Sequence, residues 1–195
     1  MKYCTLPLFS TPLYCTQIDI SSAPDFSEIT YHSDLERDFS IDNYILNQEK
    51  WSIIKNQVMT HICNFFYEEM HSKTDIKIEI TTSIFNRGTP GQFHRKHNHA
   101  NSILSGCLYF DFHPRCIEFH RGNSQSLIWD KEYFDFNNSE DWKTAPEPGL
   151  LLIWPSSLDH SVELMLPDDK TRYSLAFNTW ISGDLTKNMT GKLRL

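Results

Sequence analysis

The chain carries nine histidines, and three of them, His94, His97 and His99, fall together in the stretch FHRKHNHANS. Neutral imidazole is the commonest metal ligand among side chains. In an extended chain, residues two apart share a face. His97 and His99 can therefore converge on one ion, whereas His94, an odd number of positions from both, is expected to point elsewhere. Taken alone, the stretch fits a solvated polar loop equally well, because motifs this short match by chance. A second stretch shifts the weighting. Residues 149–178 read GLLLIWPSSLDHSVELMLPDDKTRYSLAFN: an apolar strand ending at Trp154-Pro155, a turn bearing His160, and a strand opening on Arg172-Tyr173-Ser174. His160 offers a third ligand. Arg172 and Ser174 share a face, and a guanidinium fork matches a carboxylate with two parallel hydrogen bonds. Such a pair beside a metal suits a dicarboxylate that chelates the ion at its other end.

Elements able to hold these groups can be read from the rest of the chain. From Asn47 to His71, Trp51, Ile54, Val58, Ile62, Phe65 and Phe66 recur at steps of three and four, which predicts one long amphipathic helix packed on a sheet. After Lys73 the period changes to two, with Ile76, Ile78 and Ile80 alternating with polar neighbours. Apolar runs then recur at Ser102–Phe112, Cys116–His120, Ser126–Trp129, Gly149–Trp154, His160–Leu164 and Arg172–Ile181, separated by Gly- and Pro-bearing turns. Residues 3–19 read as an irregular edge strand, and Ser21–Asn43, polar and acidic, as a long surface loop. One helix followed by about eight strands is the pattern of a mainly β (α+β) domain, and a jelly roll is the natural way to bury that many strands.

The chain has 195 residues, a formal charge of −7, 13% aromatic residues and only 7 glycines, so it reads as a single domain over residues 1–195 with large side chains to bury. Its longest basic run is Arg95-Lys96, which excludes the electrostatic footprint of a duplex nucleic-acid binder. The expected partner is a small-molecule or protein substrate; a homodimer is left open. The five cysteines form no CxxC pair and read as reduced thiols. Pro7 and Pro12 interrupt any leader-like apolar stretch, and no window approaches a bilayer span, so the expected setting is cytoplasmic and away from membranes.

Four stretches, LFSTPLY, NRGTPGQFHRKHNHANSILSGCLYF, PEPGLLLIWPSSLDHSVE and TRYSLAFN, resemble the iron(II)/2-oxoglutarate-dependent oxygenases, the second and fourth specifically in their order and spacing. More narrowly, they resemble a family of small 2OG-Fe(II) oxygenases common in marine bacteria and their phages. The resemblance reaches from residue 8 to residue 178. It implies a double-stranded β-helix, the cupin-like jelly roll with a metal at its mouth. His97 and His99 would fill the proximal motif and His160 the distal position, so that these three are both the metal ligands and the catalytic centre. Arg172 would bind the far carboxylate of 2-oxoglutarate with Ser174 beside it.

In one respect the sequence departs from the wider superfamily, because His99 stands where a carboxylate usually completes two histidines and one acid. Iron(II) held by three neutral imidazoles keeps its full charge of +2, which a 2-oxoglutarate dianion would neutralise. Asp159 and Asp111 are the candidates for a substituted carboxylate, and Asp159, adjoining His160, is expected to point away. The implied reaction couples oxidative decarboxylation of 2-oxoglutarate to oxidation of a C–H bond, giving a hydroxylated product.

Other residues carry two readings. Asn101 and Ser102 follow the metal loop and either orient a ligand imidazole or cap the loop. Tyr109 either donates its hydroxyl to 2-oxoglutarate or is core, and Trp154, Phe177 and Trp180 read as core. His94 is expected at the surface or behind the ligands, with replacement of either proximal ligand as the lesser alternative. Residues that select the substrate are expected in Ser21–Asn43 and Arg121–Glu147. The alternatives are a cupin-like three-histidine enzyme that does not use 2-oxoglutarate, which leaves the Arg172–Ser174 pair without a purpose, and a non-catalytic jelly-roll binding module.

Overall fold

In a computed structural model, which describes residues 4, 10–122, 130–185 and 195, the chain forms two antiparallel sheets and one helix. The strands are β1 (Tyr14–Gln17), β2 (Tyr31–Ser33), β3 (Asp38–Ser40), β4 (Lys77–Gly88), β5 (His94–His97), β6 (Leu104–Tyr109), β7 (Ile117–His120), β8 (Asp141–Thr144), β9 (Leu150–Pro155), β10 (His160–Val162) and β11 (Arg172–Ser182). A seven-stranded sheet runs β1-β9-β6-β11-β4-β3-β2, and a four-stranded sheet runs β5-β10-β7-β8. Together they make the double-stranded β-helix expected from the sequence.

The large sheet is covered on both faces, which is why every residue of β6 is buried. Alternation along the strand divides its side chains. Leu104 and Leu108 join Phe85, Leu151, Ile153, Leu175 and Phe177 beneath the helix. Cys107 and Tyr109 face the other way and pack with Leu152 and Trp154 against Ile117 and Phe119 of the small sheet. Gly106 sits where a Cβ would lie 2.7 Å from the Leu152 carbonyl and collide with the Phe177 ring, so only glycine lets that ring cross the strand.

Helix α1 (Ser52–Cys63) continues into a π-helical segment, Asn64–Glu69. The whole predicted stripe is buried: Trp51, Ile54, Val58, Ile62, Phe65 and Phe66. Side chains of this kind contribute on the order of 1.5–3 kcal/mol each when fully removed from water. The wider turn at the end lets the adjacent Phe65 and Phe66 both reach the core, and the helix closes at His71 with a left-handed φ of 53°.

One expectation is corrected, and two strands form that no apolar run announces. The stretch 21–43 is not one loop: β2 and β3 pair as a hairpin, and β3 pairs with β4. The polar residues of β5 form a strand because both β5 and its neighbour β10 pair through their backbones, which needs no apolar pattern. Strand β8, reading DWKT, likewise forms at a sheet edge without an apolar pattern. The run Ser126–Trp129 lies outside the described residues. Among the described residues, no helix is long and apolar enough to cross a membrane.

Candidate metal centre and its cavity

His97 ends β5, His99 lies two residues beyond it, and His160 opens β10 directly opposite His97. The His99 loop is tied to the large sheet by backbone bonds: His99 N–H to the Ser156 carbonyl at 3.0 Å, Ser156 N–H to Ile103, and Ile103 N–H to Thr179. Beneath it the hydroxyls of Ser102, Ser156 and Ser105 chain together at 2.7 and 2.8 Å and end on the Asn178 amide oxygen. Ser102 therefore serves this chain of hydroxyls and not a ligand imidazole. Asn101 sits in an exposed turn with a φ of 56° and is not among the cavity-lining residues, so of its two readings the loop position is the one the geometry supports, and a place for it in cofactor binding is not supported.

The ligand atoms of His97, His99 and His160 all lie within 4.8 Å of one another, and Nε2 of His99 is 3.2 Å from Nε2 of His160. Carbonyl oxygens only accept hydrogen bonds, which settles two tautomers. His97 Nδ1–H donates to the Arg95 carbonyl at 2.7 Å, and His160 Nδ1–H donates to the Leu158 carbonyl at 3.0 Å. In the neutral rings both Nε2 atoms thus keep a lone pair for a cation. Burial first, and then the neighbouring imidazoles, push His99 and His160 down to about 4, so both stay uncharged at neutral pH. The edge of the Trp154 ring packs on His160 with centroids 5.0 Å apart, fixing its plane.

No carboxylate joins this group among the described residues. Asp159 accepts from the Asn98 side chain at 2.8 Å and lies 3.6 Å from Lys96, and it is not part of the imidazole group. Asp111 accepts the Tyr173 backbone N–H at 2.9 Å. The donor set is three imidazole nitrogens, which suits a divalent transition metal such as iron(II).

The same cavity continues to Arg172, Ser174 and Tyr109, joined by Asn86, Cys107 and His94. Arg172 is 5% exposed, its Nη1 donates to the Arg115 carbonyl at 3.3 Å, and its buried Nε has no partner. It has no carboxylate within ion-pair distance among the described residues, which marks a place built for an anion, because a buried charge without a counter-charge is costly. Asn86, paired with Ser174 across the strands, also leaves its buried Oδ1 without a partner. Burial, and then Cys107 beside it, hold the Tyr109 hydroxyl well above its ordinary range, so it stays protonated and able to donate. Burial also raises the Cys107 thiol, in keeping with a small buried side chain.

His94 is the main correction to the site. It lines the cavity with His97 instead of facing away. Opposite β10, the register shifts between His160–His97 and Val162–His94, so β5 carries one extra residue there. Such a bulge breaks strict alternation and brings residues three apart to one face. Burial, then the charge of Arg172, pushes His94 down to about 3, so it stands as a neutral ring between the imidazole cluster and the guanidinium. Neither Asn86 nor Arg37 stands out in the sequence, although Arg37, which reaches the cavity from the β2–β3 turn, lies in the stretch expected to select the substrate.

Residues 83–178 match the model of the family described as "Putative 2OG-Fe(II) oxygenase". Over these residues the chain belongs to this family. Its enzymes are oxidoreductases whose metal is Fe(II) and whose co-substrate is 2-oxoglutarate. The matched stretch contains every residue of the imidazole cluster together with Arg172 and Ser174.

No protein of curated function matches the oxygenase in sequence. Solved structures match its fold at low identity. A prolyl-4-hydroxylase from Pseudomonas putida is 14% identical with a TM-score of 0.57, covering 88% of this chain and 92% of that one. HygX from Streptomyces hygroscopicus, solved with nickel and 2-oxoglutarate bound, is 8% identical with a TM-score of 0.59, covering 95% and 92%. The 2-oxoglutarate-dependent epimerase SnoN from nogalamycin biosynthesis is 12% identical with a TM-score of 0.58, covering 95% and 89%.

Proposed function

We propose that this oxygenase is a hydroxylase, with His97, His99 and His160 holding Fe(II) and Arg172, Ser174 and Tyr109 holding 2-oxoglutarate. One observation carries the reading: a buried guanidinium with no counter-charge among the described residues lines the same cavity as three convergent imidazoles. When bound, Fe(II) with 2-oxoglutarate and dioxygen supplies oxidation of an unactivated C–H bond, with succinate and carbon dioxide as co-products.

The protein's own residues position these reagents and keep water out. Three neutral ligands leave the metal its charge of +2, which favours a dianionic co-substrate over a neutral one. Arg172 fixes the far carboxylate, and Ser174 and the protonated Tyr109 donate hydrogen bonds beside it. Trp154, Ile117, Val162 and Phe177 wall the cavity with apolar surface, which strengthens each of these interactions by excluding solvent. The titratable groups with lowered basicity here, His94, His99 and His160, remain neutral, so the site offers no charged acid and no carboxylate base. Five unpaired thiols fit a reducing compartment such as the cytosol.

Adding Fe(II) and then 2-oxoglutarate to apo-protein without oxygen tests the reading. A visible metal-to-ligand charge-transfer band is expected in the wild type, weakened in Arg172→Ala and lost in His160→Ala. A wild type without the band, or variants that keep it unchanged, would overturn the assignment.

A further inference from the structure

We propose that Arg37 anchors an anionic group of the primary substrate at the mouth of the cavity, so that the enzyme acts on small organic acids carrying a carboxylate or phosphate. This rests on the reading above and extends it to the substrate. Arg37 lines two neighbouring spaces that share it with His94 and His97. One is the inner cavity with His97, His99, His160 and Arg172; the other is an outer recess of about 300 Å³ bounded by Asp34, Glu36, Arg37, His94, Arg95 and His97. A molecule seated in that recess would touch Arg37 on one side and a proposed metal ligand, His97, on the other. The volume is at the lower end of what small-molecule sites require.

Charge accounting on the rim leaves Arg37 as the guanidinium available to a ligand. Arg95 pairs with Glu36 at 2.7 Å. The Asp34 carboxylate accepts the backbone N–H groups of Glu36 and Arg37, each at 2.8 Å, and these bonds, with a smaller pull from the Arg37 charge, hold it below its usual range. The Arg37 guanidinium makes no ion pair among the described residues and lies over the Phe39 ring, 4.8 Å from its centroid. Stacking of this kind holds the fork in one plane while its N–H edges stay free for a carboxylate or phosphate.

The turn that carries Arg37 is fastened to the site. Asp34 N–H donates to the Arg37 carbonyl at 3.0 Å, and Phe93 N–H donates to the Glu36 carbonyl at 2.9 Å, beside His94 at the start of β5. Arg172, at 5% exposure, lies inside the sandwich, whereas Arg37 is half-buried at the rim. Two separate cations thus flank the imidazoles, one suited to the co-substrate and one to the molecule that is oxidised.

The test uses protein loaded with Zn(II), with and without saturating 2-oxoglutarate. Its probes are short carboxylic acids and phosphate monoesters, each paired with its neutral amide or alcohol, and binding is followed by ligand-observed NMR. Anions should bind more tightly than their neutral counterparts, and the tighter of the two series names the group recognised. Arg37→Ala should cost about tenfold or more in anion affinity, as loss of a charge-assisted hydrogen bond requires, and Arg37→Lys should recover part of it. Binding of 2-oxoglutarate by Arg37→Ala should match the wild type, and a thermal melt checks that the variants fold. The proposal is overturned if no probe shows an anion preference or if Arg37→Ala binds the anions as the wild type does. It is equally overturned if Arg37→Ala loses 2-oxoglutarate as Arg172→Ala does. Failure of the wild type to bind 2-oxoglutarate would instead defeat the co-substrate reading, because the series with Zn(II) alone still reports on Arg37.

Discussion

His94 and His99 divide the cavity between two tasks, and a pair of variants separates them. His99 contributes a nitrogen 3.2 Å from that of His160, while the His94 ring lies 6.4 Å from the His97 ring and feels the Arg172 charge. His99→Ala should abolish tight iron binding. His94→Ala should keep it and weaken 2-oxoglutarate by about three- to tenfold, the worth of one neutral hydrogen bond. Equilibrium dialysis of metal and of co-substrate measures the two losses independently, and equal loss of metal from both variants would show that the ligand set is drawn wrongly. Spacing made the cluster legible: His97 and His99 are two apart on an extended chain, and His160 opens a strand. The same spacing rule misplaced His94, because a β-bulge is one residue long and leaves no mark in the pattern of side chains.

At the scale of elements, the β2–β3 hairpin is what the sequence concealed. Its strands, YHS and DFS, are three residues each and too short to show an apolar period, and they form because β4 offers an edge to pair with. Asp38 is its pin. The carboxylate accepts two bonds from the Arg87 guanidinium, at 2.8 and 3.0 Å, and one from Gln92 at 2.8 Å. Burial alone would raise Asp38, but the hydrogen bonds from Arg87, Gln92 and Ser33 outweigh it and hold the carboxyl below its usual range. A lowered carboxylate contributes stability that is fully present above its unfolded value near 4 and is lost as pH falls through the lower folded value. Asp38→Asn should cost about 1–2 kcal/mol at pH 7, a modest figure because Arg87 is partly exposed to solvent. Urea melts across pH check the sign: the gap between wild type and variant should close as pH drops below about 4, and a constant gap would contradict it. Long apolar elements posed no such difficulty. The helical stripe from Trp51 to Phe66 and the runs of β6, β9 and β11 announce themselves by period, since each buries side chains on a large scale.

Across the whole molecule, the two sheets contribute different halves of the site. His97, His99 and His160 belong to the small sheet and the loop that leaves it, whereas Arg172, Ser174 and Tyr109 belong to the large sheet. By the proposed roles, metal braces one sheet internally, while 2-oxoglutarate joins the metal to the other sheet. The two ligands should therefore stabilise the fold cooperatively, and by reciprocity each should raise the other's affinity by the same factor. A ligand present at a hundredfold above its Kd adds about 2.7 kcal/mol, which for a domain of this size is a shift in Tm of about 5–10 °C. With Zn(II) as a redox-silent metal, calorimetric melts should show a larger shift for metal and 2-oxoglutarate together than the sum of the two alone. Arg172→Ala should keep the metal increment and lose that of 2-oxoglutarate, because only the link to the large sheet has been cut. His160→Ala should lose both, since without the metal the co-substrate has nothing to join. Strictly additive shifts would mean that 2-oxoglutarate does not touch the metal, and its 2-oxo acid end would then have to be sought away from the imidazoles.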